Sequence, residues 1–198
     1  RDWAGGVGFL PPLALTASGA GVVTIVPDHD GILRSVPLLS MLGGELYPSL
    51  GLEALKVYLG ADSVTAQVTP PQTASLRQPP GIAGIALGSA AFLPTSADGR
   101  IWLHARPQSG DRYVSAIDVL TGRVEPKRIK DHIVLIGATS AGLGDTVRSP
   151  LGEAVPGVEG HLQLNEQLLT SEYLLRPSWE NQAFTALVLA YALSLALM

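Results

Sequence analysis

The segment HIVLIG at residues 132–137 is an uninterrupted apolar run that ends on glycine. Such a run reads as a strand covered on both faces, and strands of that kind are usually parallel. Helices should therefore flank it. Downstream, PGVEGHLQLNEQLLTSEYL (156–174) places Val158, Leu162, Leu168 and Leu169 on one face, which predicts a long helix. Upstream, SAIDVLTG (115–122) has Ser115 as a cap, Asp118 three residues later in the manner of a capping box, and a glycine stop, which predicts a short helix. Before it, IAGIAL (82–87) and GRIWLHAR (99–106) read as strands around a turn at Asp98-Gly99. Ile101, Leu103 and Ala105 alternate with Trp102, His104 and Arg106 as a half-buried strand requires.

Working further toward the N terminus, residues 70–81 hold four prolines and no periodicity and read as an exposed loop. PSLGLEALKVYLG (48–60) has proline at its start, Leu50, Ala54, Leu55 and Tyr58 at helical spacing, and a terminal glycine. GVVTIV (21–26), the turn PDHDG (27–31) and ILRSVPLLSML (32–42) predict a hairpin, and PPLALTASG (11–19) a short helix. The fold class expected is α/β, a mixed α/β sheet with flanking helices followed by the start of a transmembrane helix. No internal repeat interrupts that order.

Composition narrows the function. Apolar residues make up 46% of the 198, but charged residues only 15% against a usual quarter or so. The chain is too apolar for intrinsic disorder. A net charge of −4, with 13 basic residues spread along the chain, supplies no basic stripe for nucleic acid. Zero cysteines exclude disulfides, iron–sulfur clusters, thiolate zinc sites and a cysteine nucleophile.

Part of the charge deficit has a location. After Glu180 the sequence NQAFTALVLAYALSLALM carries no charge over eighteen residues. That length lies between a buried helix and a bilayer span of about 20 residues. Trp179 stands where an interfacial aromatic belongs. An amphipathic helix docked on the core is the other reading, and it is weakened because the polar residues do not collect on one face. The division expected is an extracytoplasmic sensory domain over 1–179 and the start of a transmembrane helix over 180–198. Only Arg148 and Arg176 are basic between residues 131 and 198, which places the soluble part outside the cytoplasm. The start RDWAGG, with no Met and no signal-peptide pattern, suggests a piece of something longer.

Candidate chemistry is sparse. Gly137 and Gly142 have the spacing of a phosphate loop, but Leu143-Gly144 stands where Lys and Ser/Thr should follow. Ser140 in ATSAG resembles a nucleophile elbow, with Asp145 and His161 after it in hydrolase order. Four residues between Ser140 and Asp145 leave no room for the helix and strand that must intervene, so a serine hydrolase of the α/β class is only one alternative, a non-signalling cell-envelope binding module being the other. Asp28-His29-Asp30-Gly31 fails the calcium-loop pattern after Asp30 and fits a capped turn. His161 and Asn165 share a helix face, within reach of Asp145 and Glu159. No cofactor and no metal is implied.

Taken together, GVVTIVPDHDGILRSVPLL, ELYPSLGLEALKVYLG, LPTSADGRIWLHAR, VSAIDVLTG, HIVLIGATSAGLGDTVRSPLGEAVPGVEGHLQLNEQLL and LLRPSW resemble the second type of CHASE domain, the cyclase/histidine-kinase-associated sensory extracellular family. The resemblance spans roughly residues 19–179. It implies an extracytoplasmic sensory module of a bacterial membrane receptor, without catalysis of its own. Membrane spans and a cytoplasmic output domain, an adenylate or guanylate cyclase or a histidine kinase, would follow. It also implies a further N-terminal α/β portion. The positions matching the family's strings are Asp28, Asp30, Gly31, Arg34, Pro48, Ser49, Gly137, Asp145, Pro156, Gly157, Glu159 and His161. Of these, Asp28, Asp30, Arg34, Asp145, Glu159 and His161 are the candidate ligand-binding residues. The partners expected are a small-molecule or envelope signal, the membrane and a second copy of the chain.

Overall fold

A computed structural model describes residues 2–3, 5–73, 80–139, 145–177 and 179–196. Its strands are β1 (Asp2–Trp3), β2 (Ser35–Pro37), β3 (Leu39–Leu42), β4 (Glu45–Pro48), β5 (Val64–Thr69), β6 (Gly81–Leu87), β7 (Ala91–Pro94), β8 (Arg100–Trp102), β9 (Thr146–Arg148) and β10 (Ala154–Pro156). The helices are α1 (Pro11–Ala14), α2 (Leu50–Leu59), α3 (Ala116–Leu120), α4 (Gly157–Thr170) and α5 (Glu180–Ala196). The class is mixed α/β, but the strands form four small sheets in place of one: β1-β3-β4, β2-β8, β5-β6-β7 and β9-β10. Only β1 and β3 run parallel; the other pairs are antiparallel.

The core forms where α2 and α4 cross these sheets. Ser49 starts α2 by accepting the Leu52 N–H on its hydroxyl at 3.3 Å, and Gly60 ends it at φ +63°, a conformation that favours glycine. Leu52 and Leu55 then face Val36, Leu38, Ile85, Leu87, Leu93 and Ile101 from the sheets and Leu164 and Leu168 from α4. At Gly51 the two helices meet closely. A Cβ there would stand 2.7 Å from Leu164 Cδ2, so glycine is what admits the leucine.

Several expectations are corrected. Residues 132–137 form no strand. The segment keeps strand-like alternation, with Ile133 and Leu135 half-buried and Val134 and Ile136 exposed, but among the described residues no strand pairs with it. Residues 21–26 and 32–42 form no hairpin. The turn at 28–31 closes as expected, yet Val22 bonds to Pro48 and Leu50, while 35–37 pairs with β8 and 39–42 with β4. α1 stops at Ala14, short of Gly19; the Thr16 hydroxyl donates to the carbonyls of Pro12 and Leu13 just beyond it. At α3 the Ser115 side chain makes no capping bond, and the Asp118 carboxylate is taken by Arg123 at 2.7 Å. On α4 the buried leucines are Leu164 and Leu168, whereas Leu169 is exposed. β5 and β7 extend the sheet beyond the segments read as strands.

α5 is 17 residues long, and Phe184, Leu187, Leu189, Tyr191 and Leu193 are all exposed on it. Among the described residues no helix is long and apolar enough to cross a membrane.

Candidate functional site

α4 is a polar helix in a buried place. Glu159, His161, Gln163, Asn165 and Gln167 are all buried, together with Gly157, Gly160, Leu164 and Leu168. Buried polar groups require partners. On one face the partners are main-chain groups of the extended segment that continues β8. Gln167 Oε1 accepts the His104 N–H at 2.9 Å, and its Nε2 donates to the Trp102 carbonyl at 2.8 Å. Gln163 Nε2 donates to the Arg106 carbonyl at 3.1 Å. Residues 102, 104 and 106 thus bond to glutamines where a sheet would offer them a strand.

The same face carries a chain of charges. Glu159, 1% exposed, accepts the Tyr113 hydroxyl at 2.5 Å and Gln163 Nε2 at 3.0 Å. Burial and this carboxylate push the Tyr113 hydroxyl up to about 12, so it remains a proton donor at neutral pH. Arg112 Nη1 stands 3.7 Å from Glu159 and 3.3 Å from Glu166. Nη1 is buried without a hydrogen bond, whereas Nη2 of the same guanidinium donates to Glu166 at 3.3 Å. Arg106 links onward, to Glu166 at 3.4 Å and to Glu172 at 2.5 Å, and His104 Nδ1 lies 3.3 Å from Glu172.

Beyond Glu172 the chain leads to α5. Leu174 makes an antiparallel bridge with Trp102, and the Arg176 guanidinium stacks 4.5 Å from the centre of the Trp102 ring. Arg176 also lies 3.5 Å from Glu180, the first residue of α5. At the other end Tyr113 borders an open depression of about 500 Å³ lined by Ser115, Asp118, Arg123, Glu125 and Arg128 among others.

The residues singled out in the sequence fall into three places. Asp28, Asp30 and Arg34 satisfy one another: Arg34 Nη1 donates to both carboxylates at 3.0 Å, and Nη2 to Asp30 at 2.7 Å. The Arg34 hydrogen bonds and the Ile32 N–H hold the Asp30 carboxyl down at about 2, and the two carboxylates raise the Arg34 guanidinium further. Asp145 is exposed at the start of α4, where its carbonyl accepts the Gly157 N–H at 3.0 Å and its carboxylate lies against the Gly157 Cα. His161 is on the same side, with Nε2 2.9 Å from the Val23 carbonyl. Burial lowers its pKa against the opposing pull of that carbonyl and of Asp145, so the ring is neutral and Nε2 donates. Asn165 Nδ2 donates to the His161 carbonyl at 3.0 Å. Glu159 is held by Tyr113 on another face, apart from both groups. Ser140, Gly142 and the rest of 140–144 lie outside the described residues. Among the described residues no cluster of three or more His, Cys, Asp or Glu could hold a metal.

The family model of the CHASE2 domain matches residues 7–197. The chain belongs to this family. CHASE2 domains are extracytoplasmic sensory modules of membrane receptors and are not catalytic. No curated protein and no solved structure gives a match.

In this CHASE2 domain the residues that sequence reasoning missed are Arg106, Arg112, Tyr113, Gln163, Glu166, Gln167 and Arg176. One signal was available. Glu159, Gln163, Glu166 and Gln167 recur at helical spacing in a helix short of apolar residues, which marks a polar face that must meet something. Nothing in the sequence pairs that face with 102–113.

Proposed function

We propose that the CHASE2 domain senses a small polar solute at the depression beside Tyr113. α4 and the 171–179 linker pass its occupancy to α5, and α5 is the beginning of a membrane span. At about 1.5 Å per residue, its 17 residues reach about 26 Å of the roughly 30 Å hydrocarbon layer. The supporting observation is Arg112, which donates to Glu166 through Nη2 at 3.3 Å while its buried Nη1 lies 3.7 Å from Glu159 without a hydrogen bond. A cation between two acceptors has two arrangements. A solute that favours one of them shifts the population, and only through that difference in affinity. Arg112 on Glu159 strengthens the Tyr113 end; Arg112 on Glu166 competes with Arg106 and loosens the tie to Glu172 and the linker. A cytoplasmic cyclase or histidine kinase, acting in pairs, is the output this arrangement serves.

Two measurements test the reading. Because residues 1–198 contain no cysteine, Ser89→Cys, on the exposed turn between β6 and β7, gives this domain a single thiol, to be compared with the unsubstituted receptor. A membrane-impermeant maleimide should label it in intact cells; labelling only after lysis would refute an extracytoplasmic location. In the receptor containing its output domain, Glu166→Gln should leave the fold intact and make cyclic-nucleotide production or histidine phosphorylation insensitive to the stimulus. An unchanged response would remove Arg112 from the mechanism.

A further inference from the structure

Among the described residues four buried side-chain atoms lack a hydrogen bond: Arg112 Nη1, Glu166 Oε2, His161 Nδ1 and Asn165 Oδ1. The first two face each other as an ion pair at 3.3 Å. The other two have no such partner. His161 is 5% exposed and Asn165 3%, and the hydrogen bond each makes fixes the character of the atom left over. His161 Nε2 stands 2.9 Å from the Val23 carbonyl, which can only accept, so Nε2 carries the ring proton and Nδ1 presents a lone pair. Asn165 Nδ2 donates to the His161 carbonyl at 3.0 Å, so Oδ1 is an acceptor as well. A third acceptor lies on the same face. The Asp145 carboxylate covers Gly157 so closely that a Cβ there would meet both of its oxygens, and among the described residues it has neither a cation nor a hydrogen-bond donor as partner.

Residues 157, 161 and 165 follow one another at four-residue steps, about 5–6 Å apart on one helix face. Carboxylate, imidazole nitrogen and amide oxygen thus stand in a row of acceptors with no donor among them. Water is the ordinary partner of such atoms, but neither His161 Nδ1 nor Asn165 Oδ1 is accessible to a water molecule. Chain docking from outside reaches neither atom for the same reason. A metal ion, bonded at about 2.0–2.2 Å, needs less room than a water at hydrogen-bond distance. We propose that this face of α4 binds a divalent first-row transition ion, with the Asp145 carboxylate, His161 Nδ1 and Asn165 Oδ1 as ligands. A nitrogen and oxygen set containing imidazole suits Zn²⁺ and its neighbours, and three protein ligands leave a fourth position for water. The hydrogen bond from Nε2 to a main-chain carbonyl is the outer contact that orients metal-bound histidines. With an amide as third ligand, the site contains only two of the residue types His, Cys, Asp and Glu. Asp145 is exposed and marks the side from which the ion enters. Bound there, the ion ties the residue that precedes β9 to α4, on a face other than the one Tyr113 holds, and gives the helix a second input independent of the depression.

Zn²⁺ is the probe, added to the chain purified in detergent micelles without a histidine tag. His29→Gln, His104→Gln and His132→Gln together remove the other three imidazoles, all of them exposed. Calorimetric titration of this background should show one ion bound per chain. On the same background His161→Gln should abolish binding, and Asp145→Asn should weaken it about tenfold or more. Because Asp145 is exposed, the far-ultraviolet dichroism of Asp145→Asn should match the parent, so the test survives even where His161→Gln fails to fold. Mg²⁺, which takes oxygen ligands in octahedral geometry, should not compete. Absence of Zn²⁺ binding in the background chain, binding that persists in a folded His161→Gln, an affinity indifferent to Asp145→Asn, or Mg²⁺ bound as tightly as Zn²⁺ would each overturn the proposal.

Discussion

α4 and α5 invert the usual relation between polarity and burial. α4 buries Glu159, His161, Gln163, Asn165 and Gln167, whereas α5 exposes Phe184, Leu187, Leu189, Tyr191 and Leu193. The difference lies in what each helix meets. α4 lies against extended main chain at 102–106 and at Val23, and its amide and imidazole side chains satisfy carbonyl and N–H groups there that leucines would leave unpaired. α5 meets no core. Its apolar surface faces outward on all sides, which in water opposes the hydrophobic effect and in lipid satisfies it.

The comparison can be broken first at α4's apolar contact. Leu164 is fully buried against Gly51 and the α2 leucines. Leu164→Ala should cost about 2–5 kcal/mol, read as a fall in the urea midpoint at unchanged slope. A loss below about 1 kcal/mol would mean that α4 is not packed into the core. Next comes the polar contact. Gln167→Leu keeps the volume but strands the His104 N–H and the Trp102 carbonyl, and should cost about 1–3 kcal/mol. Equal or higher stability would show that the glutamines are tolerated on α4 and contribute nothing there.

How much of this was legible follows from what a linear pattern encodes. Ser49 and Gly60 delimited α2 because caps act locally, and the cap and the left-handed glycine are both present. The Arg34 staple was readable for the same reason, since its partners are four and six residues away. HIVLIG was not, because an apolar run reports that a segment can be a strand and says nothing of whether a neighbour pairs with it. The α4 site was half legible. The polar spacing of 159, 163, 166 and 167 is in the sequence, but the partners lie 46 to 65 residues away on a segment without regular structure. Long-range pairing of that kind leaves no local signature.

A smaller effect sharpens the account of α4's second face. His161 is neutral in the fold because burial lowers its pKa below 6.5, and the charged groups acting on it reduce to Asp145, since residues 20–26 carry no charge. On acidification the unfolded chain therefore takes up a proton before the folded one. Stability is level above about pH 7 and falls as pH drops through 6.5 toward the folded value. His161→Gln retains a donor for the Val23 carbonyl and should remove that segment of the slope. Urea midpoints at intervals from about pH 7.5 to pH 5 give the comparison. A slope that persists in His161→Gln would assign it to another group.

The smallest expected effect bears most directly on the contrast. Leu187 on α5 and Leu164 on α4 are the same side chain, one 71% exposed and the other 0%. Leu187→Ala removes no packing, improves helix propensity slightly, and should change the stability of the folded domain by no more than about 0.5 kcal/mol. Measured side by side with Leu164→Ala, it separates two accounts of α5. If the helix faces lipid, its leucines contribute to partition into the bilayer and nothing to the fold. If it docks on protein as an amphipathic helix, Leu187→Ala creates a cavity and its cost approaches that of Leu164→Ala. A near-zero value in detergent micelles, where α5 has its apolar surroundings, leaves the fold resting on α2, α4 and the sheets, and gives α5 the single task of following where the linker takes it.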